Sequence, residues 1–440
     1  MVSLMRARTA ALVVLVLLVG ALSGCTAPKE GLTLRLWDPQ VAEAYRLSLD
    51  AFEASTGVHV DVVVVPWADY WTQLRADVGA GAGDDVFWLN AANYQEYAQA
   101  GAIIPVAEDQ VAAQATEWPA AAIAQYTADG QLWGVPQITD PGIGILYNAD
   151  LLAAAGHTPG DLESLSWDPT AADDSLRDIA RTMTRDADGR RPGESGFDPD
   201  RIAQYGFGAS NDLNAVLLQF LAANGAQWQD GDRFTFASDA GVDAISYVAD
   251  LINVDHVAPS AADTNPPAGG DFVRDQFLRG RVALFPTGAY NLANIDEGAD
   301  FPWGISPLPA GPKGAISVTN SVVLAASASS AMPAAQRELL DWLGSAQGQR
   351  SIGESGTALP AVAAAQTSYA AFWAARGVDI SPMIDVLAGG SIQPPQGARY
   401  PEASAALQPL LNDVFLGRVD ATKGLREAED LANQAMSPTQ

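Results

Sequence analysis

The sequence predicts an α/β protein of two lobes, each built on an open and mainly parallel β-sheet. Segments typical of buried strands alternate with segments of helical periodicity, and this alternation is typical of a parallel sheet with helices on its faces. The chain has 440 residues, of which 48% are hydrophobic and 8% aromatic. A chain of that size exceeds one compact core, so two globular lobes are expected.

The amino-terminal part of the chain supplies the clearest pattern. Residues 32–37 alternate as a strand does, and the amphipathic helix that follows ends at Gly57. Residues 58–65 end in a run of valines, which is typical of a strand covered on both faces. Asp69 is expected to cap the next helix, and residues 86–90 predict a third strand. This order favours an open parallel sheet.

The stretch from Asp129 to Asp150 has the composition of a hinge. It predicts short buried strands over residues 132–135 and 145–147, separated by a joint rich in proline and glycine over 136–144. Glycine accepts backbone angles that other residues avoid. The joint is therefore suited to absorb the dihedral changes that accompany a movement between two lobes.

Charge and cysteine content exclude several classes of function. The formal net charge is −28, and an acidic surface of this size repels nucleic acid and anionic lipid headgroups. One cysteine excludes an internal disulfide framework and multi-cysteine metal sites. The Asp-Ala-Asp-Gly sequence at 186–189 begins like a calcium loop but lacks the later ligands. It predicts a surface turn, and no metal or cofactor is expected.

The first 24 residues read as an export signal. Two arginines precede an apolar run over residues 10–22, which is too short for a comfortable membrane span. The run ends in Leu-Ser-Gly-Cys, which resembles a bacterial lipobox and implies cleavage before Cys25 and lipid attachment to its thiol. Residues 25–30 would then form a tether on the outer face of the cytoplasmic membrane. The alternative is an ordinary secretory signal with an incidental cysteine.

A series of motifs carries a resemblance along nearly the whole chain. In order they are F-E-A-S-T-G-V-H-V, V-P-W-A-D-Y, D-D-V-F-W, Y-A-Q-A-G, L-W-G-V-P, L-Y-N-A-D-L-L, F-L-R-G-R-V-A-L-F-P-T-G-A-Y and W-G-I-S-P-L-P. A late P-x-x-x-x-Y followed by F-L-G-R ends the series. The ordered set resembles the maltose-binding protein family, the extracellular solute-binding lipoproteins of ABC sugar importers.

The resemblance implies a type II-like periplasmic-binding-protein fold that binds a carbohydrate between its lobes and passes it to ABC permease subunits. It also implies a monomer without cofactors. Three crossings join the lobes in this family. They are expected at 141–144, 311–314 and 365–371, with lobe one formed by 31–141 and 313–366 and lobe two by 142–312 and 367–440.

Sugar chemistry suggests the first candidate contacts. A sugar presents flat C–H faces ringed by hydroxyl groups, so aromatic rings and polar side chains are needed together. Ligands in open α/β sheets bind beyond the carboxyl ends of strands. Trp37 and Asp38 end the first strand, and Trp88 and Asn90 end the third. All four are predicted to face the cleft.

Five further candidate contacts with solute are predicted, two from the hinge stretch and three from the family resemblance. Asp140 and Tyr147 flank the joint described above. Tyr290 occupies the position where the family carries the tryptophan of Gly-x-Trp, whose ring stacks on the sugar. Asn320 matches a family strand that approaches the cleft, and Arg399 matches a position that often contacts ligand.

Two other functions compete with sugar binding. The negative charge suits a cationic solute such as a polyamine, which Asp38, Asp85 and Asp140 would hold. A secreted glycosidase would need two carboxylates on either side of the scissile bond, and spacing does not establish such a pair. The sequence contains no G-x-S-x-G, H-E-x-x-H or P-loop motif. Catalysis is therefore not expected.

Overall fold

The computed structural model describes residues 31–114, 116–171, 174–265 and 269–437. The predicted signal, Cys25 and the tether lie outside the described residues. The strands are β1 Gly31–Leu36, β2 His59–Val64, β3 Val86–Asn90, β4 Ile103–Ile104, β5 Thr127–Ala128, β6 Gln131–Leu132, β7 Val135–Thr139, β8 Ile143–Asn148, β9 Arg185–Asp186, β10 Ile202–Phe207, β11 Gln229–Asp230, β12 Arg233–Phe234, β13 Val282–Gly288, β14 Trp303–Ser306, β15 Ser317–Val318, β16 Ser321–Ser327 and β17 Ser391–Ile392.

The helices lie between these strands and at the carboxyl end of the chain. They are α1 Pro39–Thr56, α2 Trp67–Gly79, α3 Tyr94–Gln99, α4 Glu108–Gln114, α5 Ala120–Gln125, α6 Ala149–Ala154, α7 Ser175–Met183, α8 Leu218–Ala223, α9 Asp239–Asn253, α10 Ala261–Thr264, α11 Gly269–Leu278, α12 Leu292–Gly298, α13 Pro333–Leu343, α14 Ala346–Ser355, α15 Ala363–Ala375, α16 Ser381–Asp385, α17 Tyr400–Phe415 and α18 Ala421–Met436. None of the helices in the described part of the chain is both long and apolar enough to span a bilayer.

Lobe one is built on a sheet in the order β2-β1-β3-β16-β4, with β7 also paired to β16. Strands β1, β2 and β3 are parallel, whereas β16 runs antiparallel to β3 and β7. Asp38 caps α1, and Gly57 ends it with a φ of 76°, which a glycine adopts without strain. The predicted β-α-β unit is therefore confirmed.

Lobe two is built on a sheet in the order β14-β8-β13-β10-β9. Only β10 and β13 pair in parallel, and β8 runs antiparallel to β13. Two apolar clusters pack on this lobe, one of which includes Phe207 and Phe236 and the other Phe277 and Phe285. The direction in which β8 runs determines which of its residues lie at the cleft.

The chain passes between the two sheets at three places. Strand β7 belongs to the first sheet and β8 to the second, so residues 140–142 form one crossing. Val318 pairs with Ile392 in lobe two and Ser321 pairs with Thr139 in lobe one, which places another crossing at 319–320. The third lies within α15.

The crossing expected at 311–314 lies instead on lobe two. Residues Gly311 and Gly314 form a tight turn, and the amide of Lys313 donates to the carbonyl of Ala223 at 2.8 Å. Gly311, Pro312 and Gly314 therefore form a surface turn. Glycine and proline are common both in turns and in hinges, so their presence does not distinguish the two.

Helix α15 belongs to both lobes. Ala365, near its start, lies in the apolar cluster of lobe one. Tyr369 and Trp373, one and two turns later, lie in a cluster of lobe two. One continuous helix therefore forms the third connection between the lobes.

The prediction of a two-lobed α/β fold is confirmed, whereas the expected mainly parallel sheets are not found, because β16 pairs antiparallel with β3 in lobe one and β8 pairs antiparallel with β13 and β14 in lobe two. One local prediction is wrong, because α2 begins at Trp67 after Pro66 and Asp69 lies inside its first turn. Proline fixes φ and is suited to a helix start. That signal outweighs the acidic side chain three residues later.

Candidate functional site

The cleft lies where the carboxyl ends of the parallel strands of the two lobes face each other. In lobe one β1 leads into Trp37 and Asp38, and β2 leads into Trp67. In lobe two β10 leads into Asn211, and β13 leads into Tyr290. Ligands in open α/β sheets bind at such edges. The residues beyond these strand ends are therefore the candidate site.

Lobe one contributes an aromatic cluster to this cleft. The ring of Trp37 lies 5.2 Å from that of Trp67, 5.7 Å from that of Trp71 and 4.7 Å from that of Trp88, measured between centroids. Trp67 is 44% exposed. It presents the accessible aromatic surface, while the other rings fix its position by edge-to-face packing.

Trp67 was not predicted as a site residue. Its motif, V-P-W-A-D-Y, was used only as a family marker. The signal available in the sequence was its position two residues after the predicted strand at 58–65, a criterion similar to the one that selected Trp37.

Asp38 lies at the cleft edge of lobe one, at the start of α1. One oxygen of its carboxylate accepts from the amides of Gln40 at 2.8 Å and Val41 at 3.0 Å. Burial raises the pKa of Asp38, while these amides and the charge of Arg274 act in the opposite direction. Arg274 belongs to α11 of lobe two. The two lobes therefore approach each other closely at this point.

Asp140 and Tyr290 meet across Gly288. A Cβ atom at Gly288 would lie 2.8 Å from Oδ2 of Asp140 and 2.4 Å from Cε1 of Tyr290. Real Cβ atoms do not approach other atoms so closely. A glycine is thus required for the hinge carboxylate and the tyrosine ring to lie side by side.

The surroundings of this pair shift its proton equilibria. Burial raises the pKa of Asp140 to about 7, although the amides of Gly142 and Ala289 favour the ionised form. Tyr290 keeps 42% of its surface exposed. Desolvation, followed by the carboxylates of Asp212 and Asp140, raises the pKa of Tyr290.

Asn211 and Asp212 complete the polar wall of lobe two. Asp212 caps a π-helical turn, Leu213–Leu217, by accepting from the amide of Ala215 at 2.8 Å, and burial raises its pKa. Asn211 is 2% exposed and donates to Asn412 at 2.8 Å and Asn265 at 3.2 Å. Its side-chain oxygen has no hydrogen-bond partner among the described residues.

Polar residues directly before a helix commonly cap it. Asp212 does so, and its carboxylate is also close enough to Tyr290 to raise the pKa of that hydroxyl. Sequence spacing could not show this, because the two residues are brought together only by the parallel pairing of β10 and β13.

Two predicted residues lie at the cleft edge with local partners. The side-chain oxygen of Asn90 accepts from the amide group of Asn93 at 2.7 Å. The side-chain oxygen of Asn320 accepts from the amide of Ser321, and its carbonyl accepts from the amide of Asp140 at 2.7 Å. Asn320 therefore holds two crossings together. Contact of either residue with solute stays a prediction, as it does for Trp37, Asp38, Asp140 and Tyr290.

The prediction that Trp88 faces the cleft is wrong. Trp88 is 1% exposed, and its Nε1 donates to the hydroxyl of Tyr45 at 3.3 Å. That hydroxyl donates in turn to Gln137 at 2.6 Å. Trp88 supports Trp37 from within the core, because it lies inside β3 rather than beyond its end.

The prediction that Tyr147 lines the cleft is also wrong. Strand β8 runs antiparallel to β13, so Ile143 pairs with Gly288 at the cleft while Tyr147 pairs with Leu284. Four residues of strand correspond to about 13 Å. Tyr147 packs instead over Gly304, where an added Cβ would lie 2.4 Å from its hydroxyl.

Arg399 is engaged in contacts of its own helix. Its guanidinium donates to Glu402 at 2.8 Å and to the carbonyl of Ser437. These bonds join the start of α17 to the end of α18. These contacts lie within lobe two, and contact of Arg399 with solute stays a prediction.

The carboxylate of Asp186 accepts hydrogen bonds from backbone amides of its own segment. Its carboxylate accepts from the amides of Asp188 at 2.9 Å, Arg190 at 2.8 Å and Asp198 at 3.0 Å. Oxygens satisfied in this way organise a turn.

Two lobes that enclose an aromatic and polar cleft define a solute-binding protein. Residues 38–350 match the family of bacterial extracellular solute-binding proteins, and the chain belongs to this family. Its members bind solutes and are not enzymes, and the family prediction is confirmed.

Solved structures extend the similarity over nearly the whole chain. UspC of Mycobacterium tuberculosis is 43% identical with a TM-score of 0.72, covering 92% of this chain and 99% of that one. The ABC substrate-binding protein Lmo0181 of Listeria monocytogenes, solved with cycloalternan, is 18% identical with a TM-score of 0.77, covering 92% and 98%. At that identity it supports the fold alone.

A curated relative covers less of the chain. The maltodextrin-binding protein MdxE of Bacillus subtilis strain 168 is 25% identical over 278 residues, which are 62% of this chain and 60% of MdxE. The chain thus spans about three fifths of the length of this relative.

Proposed function

We propose that the protein captures a mono- or oligosaccharide outside the cytoplasmic membrane and delivers it to the permease of an ABC importer. In this proposal it acts as a monomer, held to the membrane by a lipid on Cys25. The maltodextrin-binding relative named above supports the class of solute, and the extracellular family supports the location.

One observation carries the proposal. Trp67 offers an exposed ring on one lobe, and Tyr290 offers a ring on the other with Asp140 and Asp212 beside it. Rings stack on the C–H faces of a sugar, and carboxylates accept hydrogen bonds from its hydroxyl groups. Because the contacts come from both lobes, a bound sugar would stabilise the closed arrangement.

Titration calorimetry with a panel of sugars and polyamines tests this proposal. Heat from one or more sugars, with a single site per chain, is the expected result. Heat from polyamines alone would overturn the carbohydrate assignment. Heat from neither class would reject both.

The cationic alternative has a specific observation in its favour. The carboxylates of Asp38, Asp140 and Asp212 all lie at the cleft, and burial raises the pKa of each. A bound cation would favour their ionised forms. The third residue named for this alternative, Asp85, lies elsewhere, because its carboxylate accepts from Thr33 and Ser330 within lobe one.

Lipid anchoring has its own test. Cys25→Ser removes the thiol that would carry the lipid, so the variant should appear in the medium or the soluble fraction. Membrane fractionation of cells that express each form measures this. Continued membrane attachment of the variant would refute the anchor without bearing on sugar binding.

A further inference from the structure

A second cavity borders all three crossings between the lobes. It has a volume of about 530 Å³, within the range that holds small molecules. Its walls include Asp140 and Pro141 of the first crossing, Thr319 of the second, and Ala363 and Ala370 of helix α15. We call this space the hinge cavity.

The hinge cavity differs chemically from the cleft. Its walls are largely aliphatic, with Ile380, Ile384 and Leu387 on lobe two and Ala121 on lobe one. Ile384 is 44% exposed, so part of the apolar wall is accessible. Among the residues that the structure describes, no Lys or Arg lines the cavity.

A small polar group spans the rim of the hinge cavity. The side-chain amide of Gln125, on lobe one, donates to that of Gln393, on lobe two, at 3.2 Å. The hydroxyl-bearing residues Thr139 and Thr367 also line the space. Aliphatic walls with an amide and hydroxyl rim suit an uncharged molecule with an apolar body and one hydrogen-bonding group.

The lobes are in contact across the cleft in this structure. Ala92, beyond the end of β3, packs against the apolar cluster of lobe two. Gln40 of lobe one donates to Glu297 of lobe two at 2.9 Å. The hinge cavity therefore has this size and shape when the lobes are together.

We propose that the hinge cavity binds a small uncharged amphipathic molecule, and that its occupancy holds the lobes together and so tightens binding of the solute in the cleft. A molecule that touches both lobes stabilises the angle between them that it fits. Asp140 provides a direct link, since it lines the hinge cavity and contacts the Tyr290 side of the cleft. The second half of the proposal rests on the proposed function.

Benzyl alcohol serves as the probe, because it is uncharged and has an apolar ring and one hydroxyl. Saturation-transfer NMR on the intact protein measures its binding. Ala370→Phe places a ring in the hinge cavity and should weaken the probe by about tenfold or more, as loss of most of a ligand's apolar contact does. Ala374→Phe is the matched control, since Ala374 is exposed on the same helix outside the lining, and it should leave probe binding unchanged.

A second lining variant guards against a folding defect. Ile384→Asp alters a side chain that is already 44% exposed, so its thermal unfolding should stay close to that of the wild type while probe binding is lost. Probe binding that is absent in the wild type, or equal in all variants, would overturn the site.

Coupling to the cleft is measured separately. The sugar identified by calorimetry should bind about fivefold tighter when the probe is saturating, in the usual range of coupling between two sites. By linkage the sugar should tighten the probe by the same factor. Unchanged affinity in both directions would overturn the coupling. If no sugar binds, the proposed function fails, and the NMR comparison still decides whether the hinge cavity binds the probe.

Discussion

The two lobes bring different chemistry to the same cleft. Lobe one presents Trp67, whose ring packs on Trp37, and Trp37 packs in turn on the buried ring of Trp88. Lobe two presents Tyr290 among carboxylates and amides, on a short helical turn and beside a π-helical turn. The first surface is a rigid extension of a core, whereas the second is held by polar contacts between loops. We infer that lobe one supplies apolar contact area, whereas lobe two supplies the polar contacts that distinguish one solute from another.

The largest expected effect comes from the contact between Asp140 and Tyr290. Gly288→Ala introduces a Cβ within 2.4 Å of the ring and 2.8 Å of the carboxylate, so both side chains must move. Sugar affinity should fall by about a hundredfold, because displacement of two contacts costs more than loss of one. Calorimetry measures this loss.

Gly79→Ala is the matched control for that substitution. A Cβ at Gly79 would meet no atom within 4 Å, so its affinity should equal that of the wild type. Equal losses in the two variants would mean that the glycine at 288 has no special role.

The next prediction measures the contribution of the Tyr290 ring separately from that of Trp67. Tyr290→Ala removes stacking from lobe two and should weaken sugar binding by more than tenfold, while Tyr290→Phe keeps the ring and should retain most of the affinity. Thermal unfolding should change little, since the side chain is 42% exposed. Unchanged affinity in the alanine variant would remove Tyr290 from the site.

A smaller loss is expected on lobe one. Trp67→Ala should weaken binding by about fivefold, which corresponds to one aromatic contact of about 1 kcal/mol, because Trp37 and Trp71 remain. Ile104→Ala is a suitable control, as Ile104 is 43% exposed on β4 of the same lobe. A loss larger than that of Tyr290→Ala would reverse the proposed division between the lobes.

The last prediction concerns stability and pH at the hinge rather than affinity. Burial raises the pKa of Asp140 to about 7, above a value of about 3.9 in the unfolded chain. Between these values the folded state binds more protons, so Asp140 lowers stability as pH rises from about 4 to 7. Asp140→Asn should therefore reduce the loss of melting temperature over that range.

Asp50→Asn provides the comparison for the pH series, because Asp50 is exposed on α1. Its melting profile should follow that of the wild type. A profile of Asp140→Asn that also follows the wild type would show that the hinge carboxylate does not titrate in this range.

The sequence predicts the fold well because buried strands and helices have local signatures. The strand over 86–90 and the helix end at Gly57 appear where their patterns indicate. The candidate site depends on strand direction, which local pattern does not contain. Tyr147 follows the rule for parallel strands, but β8 is antiparallel and its carboxyl end points away from the cleft.

Burial is the second limit on prediction from the sequence. Trp37 and Trp88 were both assigned to strand ends, yet Trp37 lies beyond β1 and Trp88 lies in the middle of β3 and is buried. A shift of one residue reverses the face of a strand side chain. Trp67 was overlooked for the related reason that helix α2 begins two residues earlier than its apparent cap.

Helix α15 has a consequence for the direction of lobe movement. The crossings at 140–142 and 319–320 are short segments outside helices and strands, whereas α15 keeps its dihedral angles through its own hydrogen bonds. Torsional change is therefore expected in these two segments rather than in α15. Lobe movement with one stiff connection and two compliant ones has a preferred axis of rotation. The cleft would thus open along one path, and its contacts would break in a fixed order.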